Sequence, residues 1–339
     1  MNQPATTSGN PIYYRLIALW VLCEAMLGGI IHAVRIPVSG LIIGGCAVVC
    51  ICLIAFYVPA KGAIIKATIM VAIFKMMLSP QSPPLAYFAV FFQGLMGELL
   101  FWNRNFYRVS CLLLGLIALL ESGLQRILVL TIVYGSNFWK AINDFINELT
   151  RQKNFTNYSL LVAGGYVALH IIAGILIGWW AGLIPKKRMI WENREKQNED
   201  ETASKEKSIP IRKKRKNWLK KGALITWICL ILVYCQSYFK IGNPILPSDL
   251  PLQIFIRSVI IILGWYFAIG PLISYLLKVW LQKNQLRSKE EIQRIVQLLP
   301  DIQELITTSW QKTKRKRGIK RMIHFAENVL IKILEKNNA

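Results

Sequence analysis

Apolar positions along the chain gather into eight runs separated by polar breaks: Tyr14–Ile31, Pro37–Val58, Ala63–Leu78, Leu85–Trp102, Val109–Tyr134, Tyr158–Ile184, Ala223–Tyr238 and Leu252–Leu281. About 18 or more apolar residues, at 1.5 Å of helix rise each, cross a bilayer. The pattern therefore predicts a polytopic helical membrane protein. The first run does not read as a cleavable signal. Its flank Met1–Pro11 carries no positive charge, Glu24 interrupts it, and further runs follow at once. No internal repeat stands out, so the sequence gives no support to an inverted-repeat transporter.

After the last run the period changes. Ile292, Ile295, Val296, Leu299, Ile302, Leu305, Ile306 and Trp310 recur at helical spacing, with Pro300 marking a break or bend. A second such stretch, Ile319 to Leu334, follows the basic cluster Lys312–Arg317. Two amphipathic helices with basic flanks fit a membrane-surface or partner-docking element. The expected fold is an all-α integral membrane protein in four parts. Residues 1–185 form a six-helix bundle that binds substrate, and 186–221 a basic cytoplasmic linker. Residues 222–281 add two further transmembrane helices, and 282–339 an amphipathic cytoplasmic tail.

Charge sets the orientation. Of 339 residues 54% are hydrophobic and only 17% charged, with mean hydropathy +0.40 and a net charge of +23. Fifteen of those net charges lie in Lys186–Lys221 and Gln282–Ala339. An excess of Lys and Arg beside spans marks the cytoplasmic side. Two runs connect the segments and six precede the first, so both termini are expected inside a cytoplasmic membrane. Lys61 and the Arg104/Arg108 pair then fall in inner loops, and Arg35 is a minor exception in an outer one. The middle of the linker, Glu192–Ser208, is polar without apolar period and reads as a flexible boundary. The run Arg212–Lys216 is suited to anionic lipid. Basic residues placed this way make nucleic acid an unexpected partner.

The chemistry-bearing motifs are few. Seven cysteines all fall in the runs, none as a C-x-x-C pair, and behave as small apolar residues. Three histidines show no ligand spacing, so neither metal nor cofactor is expected. Neither a phosphate-binding G-x-x-x-x-G-K-[ST] loop nor a G-x-S-x-G elbow occurs.

Polar residues inside the runs rise above background: Glu24, Lys66, Lys75, Gln93, Glu98, Glu121, Gln125, Arg126 and His170. Each charged one costs roughly 2.5–3.5 kcal/mol at mid-membrane even on the lenient insertion scale. Glu24, Gln93, Glu121 and His170 lie near mid-depth, and Lys75 and Arg126 in the outer half. Such a cluster suits capture of a small polar solute. The same residues also serve as helix glue, with an acid neutralising Lys75 or Arg126. Lys66 and Lys75, nine residues apart, project from opposite helix faces. The stiff turn Ser79-Pro80-Gln81-Ser82-Pro83-Pro84 caps span three. Phe138–Leu149 reads as an amphipathic outer-surface stretch. Pairs such as Gly174/Gly178 and Gly178/Gly182 permit close helix approach, within the chain or to a partner.

On these features the first 185 residues resemble the substrate-binding S component of energy-coupling-factor (ECF) vitamin transporters. The likeness is one of plan: six spans, an inside N-terminus, a Gly-rich fourth span (Phe92-Gln93-Gly94-Leu95-Met96-Gly97-Glu98), and outer loops one, three and five as a cap. The resemblance implies a ligand under those loops and partner docking through small residues of the first span, nearest here to Ala25/Gly29. The second module resembles the transmembrane coupling (T) component, on Leu299-Pro300-Asp301-Ile302 and Lys314-Arg315-Lys316-Arg317-Gly318. That implies Arg315 and Arg317 as contacts for an ABC-type ATPase. Two spans precede this tail where a full coupling component has more, and its Ala-Arg pattern reads Lys-Arg here.

The expected function is that of a membrane subunit of an ATP-driven uptake system. A vitamin-like or precursor solute would be held by Glu24, Lys75, Gln93, Glu121, Arg126 and His170. Separate ATPase subunits, with or without another coupling subunit, would drive transport. Two alternatives stand beside it. One is a membrane enzyme using His170 with Glu24 or Glu121 on a lipid-soluble substrate. The other is a scaffold whose tail recruits a cytoplasmic partner.

Overall fold

The computed structural model describes residues 10–28, 39–79, 82–150, 157–202, 249–315 and 318–335. The seventh predicted run, most of the linker, Gly29 and Arg317 lie outside the described residues.

The described residues form helices only. They are α1 (Pro11–Leu22, continued by a π-helical turn Cys23–Leu27), α2 (Ser39–Tyr57), α3 (Ala63–Leu78), α4 (Pro84–Leu100), α5 (Tyr107–Tyr134) and α6 (Ser136–Thr150). After these come α7 (Tyr158–Thr202), α8 (Asp249–Gly264, continued by a π-helical turn Trp265–Ile269), α9 (Gly270–Arg287), α10 (Lys289–Lys312) and α11 (Gly318–Leu334). Among the described residues four stretches are long and apolar enough to cross a membrane: Gly40–Tyr57, Tyr107–Tyr134, Tyr158–Arg188 and Leu252–Leu286. The α4 helix is apolar but shorter.

Helix boundaries follow local chemistry. Asn10 accepts a hydrogen bond from the Ile12 amide at 3.0 Å and Pro11 occupies the first turn, so α1 starts there. Gly62 (φ +78°) lets the chain turn into α3, whose free amides meet a carboxylate from another helix. Glu98 of α4 accepts from Gly62 N at 2.6 Å and Ile64 N at 3.2 Å. Gly135 (φ +76°) ends α5 and opens α6.

Three boundaries differ from the sequence reading. The α7 helix runs on through Pro185 to Thr202, so the polar stretch beginning at Glu192 is helical that far. Lys and Glu favour helix even without an apolar face. Of the break or bend expected at Pro300, the break is absent: α10 continues through it as one helix. Ile292 and Ile295 before the proline and Ile302 after it are buried, which holds both halves to one surface. The last run extends beyond Leu281, because α9 carries its polar end to Arg287.

The chain divides into two compact units, residues 1–124, 167–200 and 270–339, and residues 125–166 and 201–269. In the first, α1 is buried from Ile12 to Leu22 except at Arg15. Its neighbours are α2, α3, α10 and α11. Tyr13 donates to the Ala63 carbonyl at 2.9 Å, and Asn10 to that of Tyr57 at 3.3 Å. The α5 and α7 helices meet at glycines. A β-carbon on Gly115 would stand 2.3 Å from the Gly174 carbonyl oxygen and 2.9 Å from Gly178. The small-residue pairs of span six thus serve packing within the chain.

In the second unit Asn137 donates to Gln253 at 2.8 Å, Trp139 to Thr131 at 3.0 Å, and the Ser159 amide to Asn143 at 2.7 Å. Arg257 lies against Gly135 and reaches the Ile132 carbonyl at 3.5 Å, near the end of α5.

The glycine contacts make a direct test. Gly115→Ala must push two backbones apart and is expected to cost about 1–3 kcal/mol. Gly164→Ala meets nothing within 4 Å in mid-helix and should be neutral or stabilising by about 0.5–1 kcal/mol. Unfolding of both variants in mild detergent checks the contrast; equal stabilities would overturn the close α5–α7 contact.

Candidate functional site

Charged residues inside apolar helices need partners, since water is absent from the surroundings. Glu24 and Lys75 find each other. The Lys75 ammonium stands 2.7 Å from Glu24 Oε2, with side chains 6% and 4% exposed. Three elements build the contact. Glu24 sits in the π-helical turn that follows α1, a widened geometry frequent at functional sites. Lys75 lies in the last turn of α3, where a cation complements the helix dipole. The first turn of α4 completes the shell: Lys75 also donates to the Ala86 carbonyl at 3.3 Å and lies 5.9 Å from the centre of the Tyr87 ring. Ser79, just past α3, donates to the Ala25 carbonyl at 3.1 Å and ties the turn after α3 to the same π-helical segment.

The other sequence candidates are distributed. Gln93 is buried on the face of α4 that also carries Tyr87 and Val90, about 10 Å along the helix from Ala86. Its Nε2 rests over Gly44 of α2, where a β-carbon would come within 3.3 Å. Its Oε1 is buried and has no hydrogen-bond partner among the described residues. His170 of α7 is fully buried against Gly123 of α5, a β-carbon there lying 3.0 Å from its ring. Glu121 is two residues from Gly123, about 200° around α5. It is half-buried, with Oε2 unpartnered among the described residues. Arg126 belongs to the second unit, where it is exposed. Ala25 is buried and contributes its carbonyl to Ser79.

Sequence reasoning raised pairing of Lys75 with an acid; the structure selects Glu24 from among the acids. It missed the partner of Lys66, which is Glu291 in the first turn of α10. Separate partners for Lys66 and Lys75 agree with their opposite projection. Part of the tail's apolar face is covered by its own chain, while Val296, Trp310, Met322 and Ile323 stay exposed. Ile292, Ile295 and Ile302 of α10 and Ile333 and Leu334 of α11 join the core around α1. Arg294 lies 5.8 Å from the Tyr14 ring centre, and Arg15 donates to the Glu335 carbonyl at 2.9 Å. Arg315 closes a 3-10 turn after α10. Among the described residues, no group of three or more His, Cys, Asp or Glu could hold a metal ion.

The pair predicts a sharp non-additivity. Glu24→Leu or Lys75→Met alone strands a buried charge and should cost about 3–5 kcal/mol, whereas the double variant should recover most of that loss. Unfolding of the three variants in detergent closes the cycle; additive losses would show that the charges are not coupled. Comparison with known protein families, with characterised proteins and with solved structures finds no match to this chain, so the site is read from its own residues.

Proposed function

We propose that this chain is the solute-binding membrane subunit of an uptake system. It takes a small vitamin-like or precursor solute from the outer side and works with separate ABC-type ATPase subunits. The observation that carries the solute site is the Glu24–Lys75 pair, closed off inside the first unit. A buried ion pair is a poor route to stability, because apolar residues of similar volume do as well or better. Ionisable groups inside a membrane mark solute pathways by default. A polar solute entering between α1, α3 and α4 would take over the partners that Glu24 and Lys75 give each other. Gln93, deeper on α4, would offer it an amide.

Energy coupling rests on sequence. The chain has no phosphate-binding loop, so ATP hydrolysis would belong to other subunits. The resemblance to ECF components supplies the class of partner, with or without a further coupling subunit. Lys and Arg beside the spans support a multi-pass protein of the cytoplasmic membrane with both termini inside. Arg315 and Arg317 are the proposed ATPase contacts.

Mild-detergent purification of the tagged protein from its native host, followed by mass spectrometry, tests the reading. Stoichiometric ATPase subunits and a bound metabolite are expected. Glu24→Gln should release the metabolite while keeping the ATPases, which shows that the variant is folded. Intact protein with neither ATPase nor metabolite would sink the proposal.

A further inference from the structure

The apolar part of α9 ends at Val279-Trp280-Leu281, and Gln282 begins a polar stretch. Trp280 meets Phe91 edge-on at 5.7 Å between ring centres and remains 44% exposed. A tryptophan at an apolar–polar boundary is the common anchor at the membrane–water interface. Just past it, the end of α9 and the start of α10 border an open cavity of about 580 Å³. Such a volume falls within the usual range of small-molecule sites. Its polar lining is donor-rich: the amides of Gln282, Gln285 and Gln293 and the ammonium of Lys289. Leu286, Ile292 and Val296 supply an apolar wall.

We propose that this cavity binds the headgroup of an anionic phospholipid. Lys289 is exposed and meets the phosphate charge, while the Gln282 and Gln293 amides donate to phosphate and ester oxygens; Gln285 Nε2 lies 3.8 Å from Met77 Sδ, which it would exchange for the lipid. Of the two acids beside it in sequence, Glu291 is already paired with Lys66, and Glu290 faces outward, exposed. Lys283 and Arg287 add positive charge to the same stretch. The apolar wall separates a lipid from a free phosphate ion, which has no use for it. Tyr275, Val279, Gln282 and Leu286 share one face of α9 at helical spacing, and Tyr275 and Val279 are exposed. Acyl chains leaving the cavity continue along that face. The cavity uses neither Glu24 nor Lys75, and the proposal does not depend on the transport reading.

Native mass spectrometry of the delipidated full chain in mild detergent tests it, with dioleoylphosphatidylglycerol and dioleoylphosphatidylcholine as probes. One phosphatidylglycerol is expected to bind at least about fivefold more tightly than phosphatidylcholine. Lys289→Ala should abolish that preference, Lys289→Arg keep it, and Lys320→Ala, an exposed lysine on α11, leave it unchanged. Equal binding of the two lipids, or undiminished preference in Lys289→Ala, would overturn the site. Displacement of the lipid by millimolar inorganic phosphate would overturn it in favour of a simple anion site.

Discussion

The enclosure of α1 organises the first unit. A twelve-residue helix with ten buried residues leaves no apolar face to offer outside the unit. The α2 and α3 helices cover part of it, and the amphipathic α10 and the end of α11 cover more. An amphipathic helix is stable only where its apolar stripe is buried. The tail therefore belongs to the core in energetic terms, although it stands nearly 300 residues from α1 in the chain.

Polar contacts follow from that enclosure. Among the described residues, charges close to α1 are matched within the chain. Lys66 takes Glu291, Lys75 takes Glu24, and the Glu98 carboxylate takes the free amides where α3 begins. The first and third are partly exposed and tie elements together near the starts of α1 and α3. The second is almost sealed and lies at the other end of both helices. Only there is the desolvation cost large enough to ask what the pair is for. The π-helical turn at Glu24 and the Ser79 hydroxyl hold that end in register without adding charge.

The tail's own packing bears on how a partner could reach the protein. Ile292, Ile295 and Ile302 are spent inside, whereas Glu290, Asp301 and Glu304 remain outward. Any protein recruited through α10 would meet a mixed surface, with Val296 and Trp310 exposed beside these acids. Part of the amphipathic pattern that suggested a docking helix is used in packing on α1, through Ile292, Ile295 and Ile302.

Apolar run length by itself located the helices. Ala63–Leu78 is α3 to the residue, and the ends of α4 and α5 fall within two residues of prediction. Hydrophobic spacing likewise gave α10 and α11. That success has a local cause, since helix formation depends on composition and period over a few turns. The candidate polar residues were legible too, because a charge in an apolar run is conspicuous. Their partners were not. Spacing along the chain left open which acid neutralises Lys75, and only the packing of α1 on α3 brings Glu24 to 2.7 Å. Glu291 lies 225 residues from Lys66 and outside every apolar run, so nothing local signals that contact. The continuity of α10 through Pro300 was decided in the same way, by burial on both sides of the proline. The sequence determined which segments are helical and which residues are costly to bury. Tertiary structure decided who neutralises whom, because pairing depends on which helix faces meet.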